Sequence, residues 1–172
     1  RLLERVRLNL FCPIAKLIPV CKQTVIRESN VQQTPADGSI TVDHLLTHLS
    51  GLSYGLLPGC PVGKLYQEHN LAENGNRSLA EYIDILSTLP IAFEPGSRWH
   101  YRCSTYVLAR IIEIVVNKSL DKILQAYLFE PHGVHETGYF VDDEILSRLL
   151  PMYGHSLVQL PYTQFSHPPL HH

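Results

Sequence analysis

Within residues 104–117 the chain carries Val107, Leu108, Ile111, Ile112, Ile114, Val115 and Val116. At 3.6 residues per turn these side chains cover most of a helix circumference, which predicts a helix buried on nearly all sides. Such a helix cannot lie on a surface; other elements must pack round it. The flanking sequence offers them as short amphipathic helices separated by turns rich in Gly and Pro. Over residues 41–49, Val42, Leu45, Leu46 and Leu49 fall at helical spacing, with Thr41 as the N-cap and Gly51 as the terminator. Ser78 and Glu81 form a capping-box pattern ahead of Leu79, Tyr82, Ile83 and Leu86, and Pro90 stops that helix. Ser119 caps another that bears Leu120, Ile123, Leu124, Tyr127 and Leu128 and ends at Pro131 and Gly133. A short helix is expected over residues 143–150. Strand signals are sparse: residues 23–39 and 55–76 read as loops, and residues 157–172 show no periodicity.

A chain of 172 residues is long enough for one domain with a real core, because a fold of about 150 residues buries roughly 70% of its unfolded surface. The expected division is a single domain over residues 1–156 and an irregular tail over 157–172. Apolar residues make up 45% and charged residues 17%, which excludes intrinsic disorder. A formal net charge of -2 with scattered Lys and Arg gives no footprint for nucleic acid or an anionic membrane surface. The apolar runs fall far short of the roughly 20 residues that cross a bilayer. Arg1 opens the sequence without a charged-then-apolar leader, so a targeting peptide is expected to be absent or removed. Cys12, Cys21, Cys60 and Cys103 are irregularly spaced and read as free thiols.

Residues 40–52, Ile-Thr-Val-Asp-His-Leu-Leu-Thr-His-Leu-Ser-Gly-Leu, resemble the ITVRHLLTHTSGL segment of class C β-lactamases, their penicillin-binding relatives and the related carboxylesterases. Residues 93–101, Phe-Glu-Pro-Gly-Ser-Arg-Trp-His-Tyr, look like the same family's FEPGTRWxY, and residues 111–120 like its IIEVVSGKSL. Residues 129–138 are similar to FEPLGMKDTG and 147–153 to xRLAPLY, with a weaker match over residues 1–19. The resemblance implies an α+β, predominantly helical chain: the helical lobe of the β-lactamase/transpeptidase-like fold with most of its sheet missing.

The resemblance also implies a three-part site: a Ser-x-x-Lys helix start, a Tyr-x-Asn turn, and a Lys-Thr-Gly or His-x-Gly strand. Here it identifies the turn alone, with Tyr101 as its tyrosine, and places the Ser/Lys helix upstream of Arg1. In such an enzyme Ser attacks the acyl carbon and Tyr acts as base. A phenol has an ordinary pKa of about 10, so half-ionisation at pH 7 needs a shift of about 3 units, or about 4 kcal/mol, from nearby cations. The chain alone is therefore expected to be inactive. Cys103 stands where true lactamases carry Asn, which points to the esterase branch, with Tyr54, Trp99 and Cys103 expected around the acyl pocket. The expected partner is a small acyl ester or amide, with no cofactor and no metal. A lobe without its sheet should expose an apolar face, so self-association is also expected. Val6, Phe11, Cys12 and Ala109 depart from the family pattern, which fits a degenerate, non-catalytic copy kept as a binding or structural module equally well.

Other strings suggest different chemistry. Ser119-Leu-Asp-Lys122 satisfies Ser-x-x-Lys, but it follows Tyr101 and Ser119 reads as a helix cap. Gly51-Leu-Ser-Tyr-Gly55 matches the nucleophile elbow of α/β-hydrolases and leaves Ser53 as an alternative nucleophile, although a helix precedes it where a strand is required. His44 and His48 have a metal-ligand spacing, but Leu45 stands where a zinc protease needs Glu. These two, with His132 and His135, read as satisfied or solvated histidines.

Overall fold

The computed structural model describes residues 9–19, 24–26, 33–53, 60, 62–71, 77–101, 103–139 and 148. The segment 1–8, Cys21, Tyr54, Arg102, the tail at 157–172, and all of the expected helix at 143–150 except Arg148 lie outside them. After a 3-10 turn at Ile14–Lys16, strands β1 (Thr24–Ile26) and β2 (Gln33–Pro35) pair antiparallel, Val25 opposite Thr34. Five α-helices follow among the described residues: α1 (Val42–Leu46), α2 (Gly63–Glu68), α3 (Leu79–Ser87), α4 (Ser104–Val116) and α5 (Leu120–Leu124). The chain then passes through a π-helical turn at Gln125–Phe129 and a 3-10 turn at Glu130–His132.

The caps form where the sequence places them. Thr41 Oγ1 accepts from His44 N–H at 3.2 Å, and Thr41 N–H donates to His44 Nδ1, closing a capping box on α1. On α3, Glu81 Oε2 accepts from Ser78 N–H at 2.8 Å while Ser78 Oγ accepts from Glu81 N–H. Ser119 occupies the N-cap of α5 through its backbone, its carbonyl accepting from Ile123 N–H at 3.1 Å. Asn117 ends α4 in the left-handed conformation, which Asn tolerates better than most side chains.

Three expectations need correction. Residues 23–39 contain the β1–β2 hairpin, and residues 55–76 contain α2. Neither announces itself locally. The strands are three residues each, and α2 starts after Val62 with no capping side chain; its stability comes from burying Val62, Gly63 and Tyr66. The central helix α4 is not buried all round. It packs against α1, α3 and α5, which bury the stripe Ser104, Val107 and Ile111, while Ile114 stays 38% exposed.

The core joins Ile14, Ile18, Val25, Ile40, Val42 and Leu45 to Tyr66, Tyr82, Ile83, Leu86, Val107 and Ile111. Each such large side chain contributes about 1.5–3 kcal/mol on burial. The N-terminal segment is threaded into this core beside α1: Ile14 N–H donates to Ile40 O at 2.9 Å and Asp43 N–H to Leu10 O at 2.8 Å.

Candidate active site

The loop that leaves α1 is fastened to residues 91–101 by three backbone hydrogen bonds. Ala92 N–H donates to Gly51 O at 2.8 Å, Gly96 N–H to Leu49 O at 2.8 Å, and His100 N–H to His48 O at 2.9 Å. The approach is close enough to dictate glycine at position 51, where φ is 79° and a Cβ would lie 2.3 Å from Phe93 O. Beneath the loop, Ser50 Oγ and Ser104 Oγ meet at 2.8 Å, tying it to the first turn of α4.

This double segment carries two of the predicted site residues, Trp99 and Tyr101. Tyr101 is 59% exposed and Trp99 66% exposed, both on the stretch that runs into α4. His48 pairs with both, its ring centroid 4.7 Å from that of Tyr101 and 6.4 Å from that of Trp99. His48 takes a left-handed backbone, φ 59°, a conformation that costs a non-glycine residue on the order of 1 kcal/mol. Its Nδ1 is buried and has no hydrogen-bond partner among the described residues. The expectation that both helix histidines are satisfied or solvated therefore holds for His44, whose Nδ1 serves the α1 cap, and fails for His48. Since α1 ends at Leu46, the two imidazoles do not share one helix face.

Cys103 is 1% exposed. Its thiol donates to Ser53 O at 2.9 Å and lies 3.1 Å from Tyr82 Oη, so it braces the loop from behind while Tyr101 and Trp99 face outward. Burial pushes the phenols of Tyr82 and Tyr66 well above the ordinary tyrosine range, with the nearby Cys103 thiol adding to it. Both remain neutral donors: Tyr66 Oη donates to Pro90 O at 3.1 Å and Tyr82 Oη to Leu71 O at 3.3 Å. Tyr54 lies outside the described residues.

Ser53 is fully buried, and its hydroxyl contacts Cys60 Sγ at 2.7 Å and His100 Nε2 at 3.3 Å. The residues before it belong to α1 and its exit turn. A nucleophile elbow requires an exposed hydroxyl at the end of a strand, so this environment contradicts the elbow reading. Sequence reasoning weighed His48 only as a metal ligand and passed over His100, which the structure sets beside Tyr101 and Ser53 respectively. The signal was their place inside the quoted motifs: His48 lies within residues 40–52 and His100 within residues 93–101.

The family model described as Beta-lactamase matches residues 1–162. The chain belongs to the beta-lactamase family. Esterase EstB of Burkholderia gladioli is 30% identical over 145 residues, covering 81% of this chain and 34% of the esterase. Lovastatin esterase of Penicillium rubens is 29% identical, covering 73% of this chain and 31% of that enzyme. Among solved structures, unliganded simvastatin synthase (LovD) from Aspergillus terreus superposes with a TM-score of 0.71 at 25% identity, covering 95% of this chain and 43% of that one. A penicillin binding protein from Bacillus halodurans, 22% identical, shares the fold with a TM-score of 0.59 over 88% of this chain and 41% of that one. The chain thus spans less than half the length of these relatives, and its fold is the β-lactamase/transpeptidase-like one, predominantly helical among the described residues.

Proposed function

We propose that this beta-lactamase-family chain supplies the tyrosine-bearing part of a serine acyl hydrolase acting on small esters, with Tyr101 as base and the Ser-x-x-Lys helix and most of the sheet supplied from outside these residues. The observation that carries the reading is the exposed phenol of Tyr101, presented on a doubled loop at the start of α4 and backed by His48. The esterase names of the relatives and the acyl transfer named for Aspergillus terreus monacolin J acid methylbutanoyltransferase agree with acyl chemistry.

In this mechanism the serine hydroxyl gives its proton to the Tyr101 phenolate as its oxygen bonds the acyl carbon. The bond from that carbon to the alcohol oxygen then breaks, and the leaving alcohol takes the proton from Tyr101. A water, or a second alcohol for acyl transfer, repeats the sequence on the acyl-enzyme. Trp99, exposed beside His48, is the apolar surface this reading offers to the acyl group.

Fluorophosphonate labelling of the 172-residue chain tests this. The reading expects no labelled serine; a label on Ser53 or Ser119 overturns it. The reading frame upstream of Arg1 is expected to encode Ser-x-x-Lys, and in a product that includes it Tyr101→Phe should lower ester-hydrolysis kcat by about 100-fold or more.

A further inference from the structure

We propose that His48 is the positioning residue for Tyr101, fixing the direction of the phenol through ring contact. The inference rests on the reading of Tyr101 as the base. Tyr101 is exposed, and an exposed ring turns unless a neighbour restrains it. Among the described residues, the ring paired with it is the His48 imidazole, 4.7 Å away between centroids and tilted by 53°. Aromatic pairs at this distance and tilt attract beyond their area of contact.

His48 is itself held in place. Its backbone is left-handed, and its carbonyl accepts from His100 N–H at 2.9 Å, which locks position 48 to the residue adjoining Tyr101. The ring's Nδ1 is buried without a partner among the described residues, so packing against Trp99 and Tyr101 locates the ring rather than a hydrogen bond at that atom. A residue that only let the chain leave α1 would be better as Gly, which takes the left-handed conformation without burying an orphan nitrogen. The strained backbone and the unpartnered nitrogen both persist where the ring meets the site tyrosine. Proton transfer depends on direction, so a base on a swinging side chain loses efficiency.

NMR on the chain with labelled Tyr and His reads the contact directly, Tyr101 being identified by the signal lost in Tyr101→Phe. Cross-relaxation between the His48 and Tyr101 ring protons is expected, and its absence overturns the proposal without any variant at position 48. His48→Asn keeps the backbone conformation and removes the ring; His48→Phe keeps a ring and removes the nitrogens. Tyr101 ring signals should move toward free-tyrosine values in the first and return most of the way in the second, with Tyr66 and Tyr82 signals unmoved. Tyr101 signals unchanged in His48→Asn would also overturn it. In a form that hydrolyses p-nitrophenyl esters, His48→Asn should lower kcat on the order of tenfold with KM little changed, and His48→Phe should restore it. Full activity in Tyr101→Phe would instead sink the assignment of the base while leaving the ring contact in place.

Discussion

The hydroxyls of Ser50 and Ser104 meet at 2.8 Å inside the protein, joining the exit of α1 to the first turn of α4. Both residues are buried, and Ser50 Oγ also accepts from Leu52 N–H at 3.3 Å. Removing one hydroxyl strands its partner, which costs about 1–3 kcal/mol. Ser50→Ala should destabilise more than Ser104→Ala, because it orphans a backbone N–H as well. The double variant should be less destabilised than the sum of the two, and urea unfolding of all four proteins measures that coupling.

Glycine 51 and glycine 38 make a matched pair. A Cβ at position 51 would press against Phe93 O with φ at 79°, whereas one at position 38 meets nothing within 4 Å. Gly51→Ala should cost at least about 3 kcal/mol or prevent folding, while Gly38→Ala should stay within about 0.5 kcal/mol of the parent. Thermal melts followed by circular dichroism distinguish the two.

The α3 capping box makes a pH prediction. Hydrogen bonds from the Ser78 hydroxyl and N–H, with Arg77 nearby, hold the Glu81 carboxyl below its ordinary value. A carboxyl whose folded pKa is depressed adds stability that is present above its unfolded pKa and lost as pH falls through the folded one. Below the ordinary carboxylate range the native chain should therefore lose stability that Glu81→Gln never had. The gap between their melting temperatures should narrow as the pH is lowered; a gap independent of pH would count against the box.

Tyr127, Leu128 and Tyr139 are large apolar side chains exposed on the C-terminal half of the chain. The self-association expected of a lobe without its sheet would draw on side chains of this kind. Light scattering should show mass rising with concentration, and Leu128→Glu should lower it; a monodisperse monomer across the range would refute the idea.

Helix placement was legible wherever a polar side chain capped an apolar period, as at Thr41 and Ser78. The hairpin and α2 were not, because three-residue strands and an uncapped helix at Gly63–Glu68 take their order from the core that covers Val25 and Tyr66. Tyr101 and Trp99 were expected as candidates from the motif that holds them, residues 93–101. The histidine paired with both was hidden: its fourfold spacing from His44 suggested a shared helix face, whereas the chain turns left-handed at His48 and sends the ring elsewhere.

The contact of position 51 with the Phe93 carbonyl also separates two evolutionary fates. A copy released from catalysis but still required to fold would be free to change Tyr101 and Trp99 on the surface, yet every lineage would keep glycine at 51. A copy released from folding as well would lose that glycine as readily as any other residue. Sequencing this locus across related genomes would then date the loss of chemistry and the loss of architecture separately, with one surface tyrosine and one interior glycine as the two clocks.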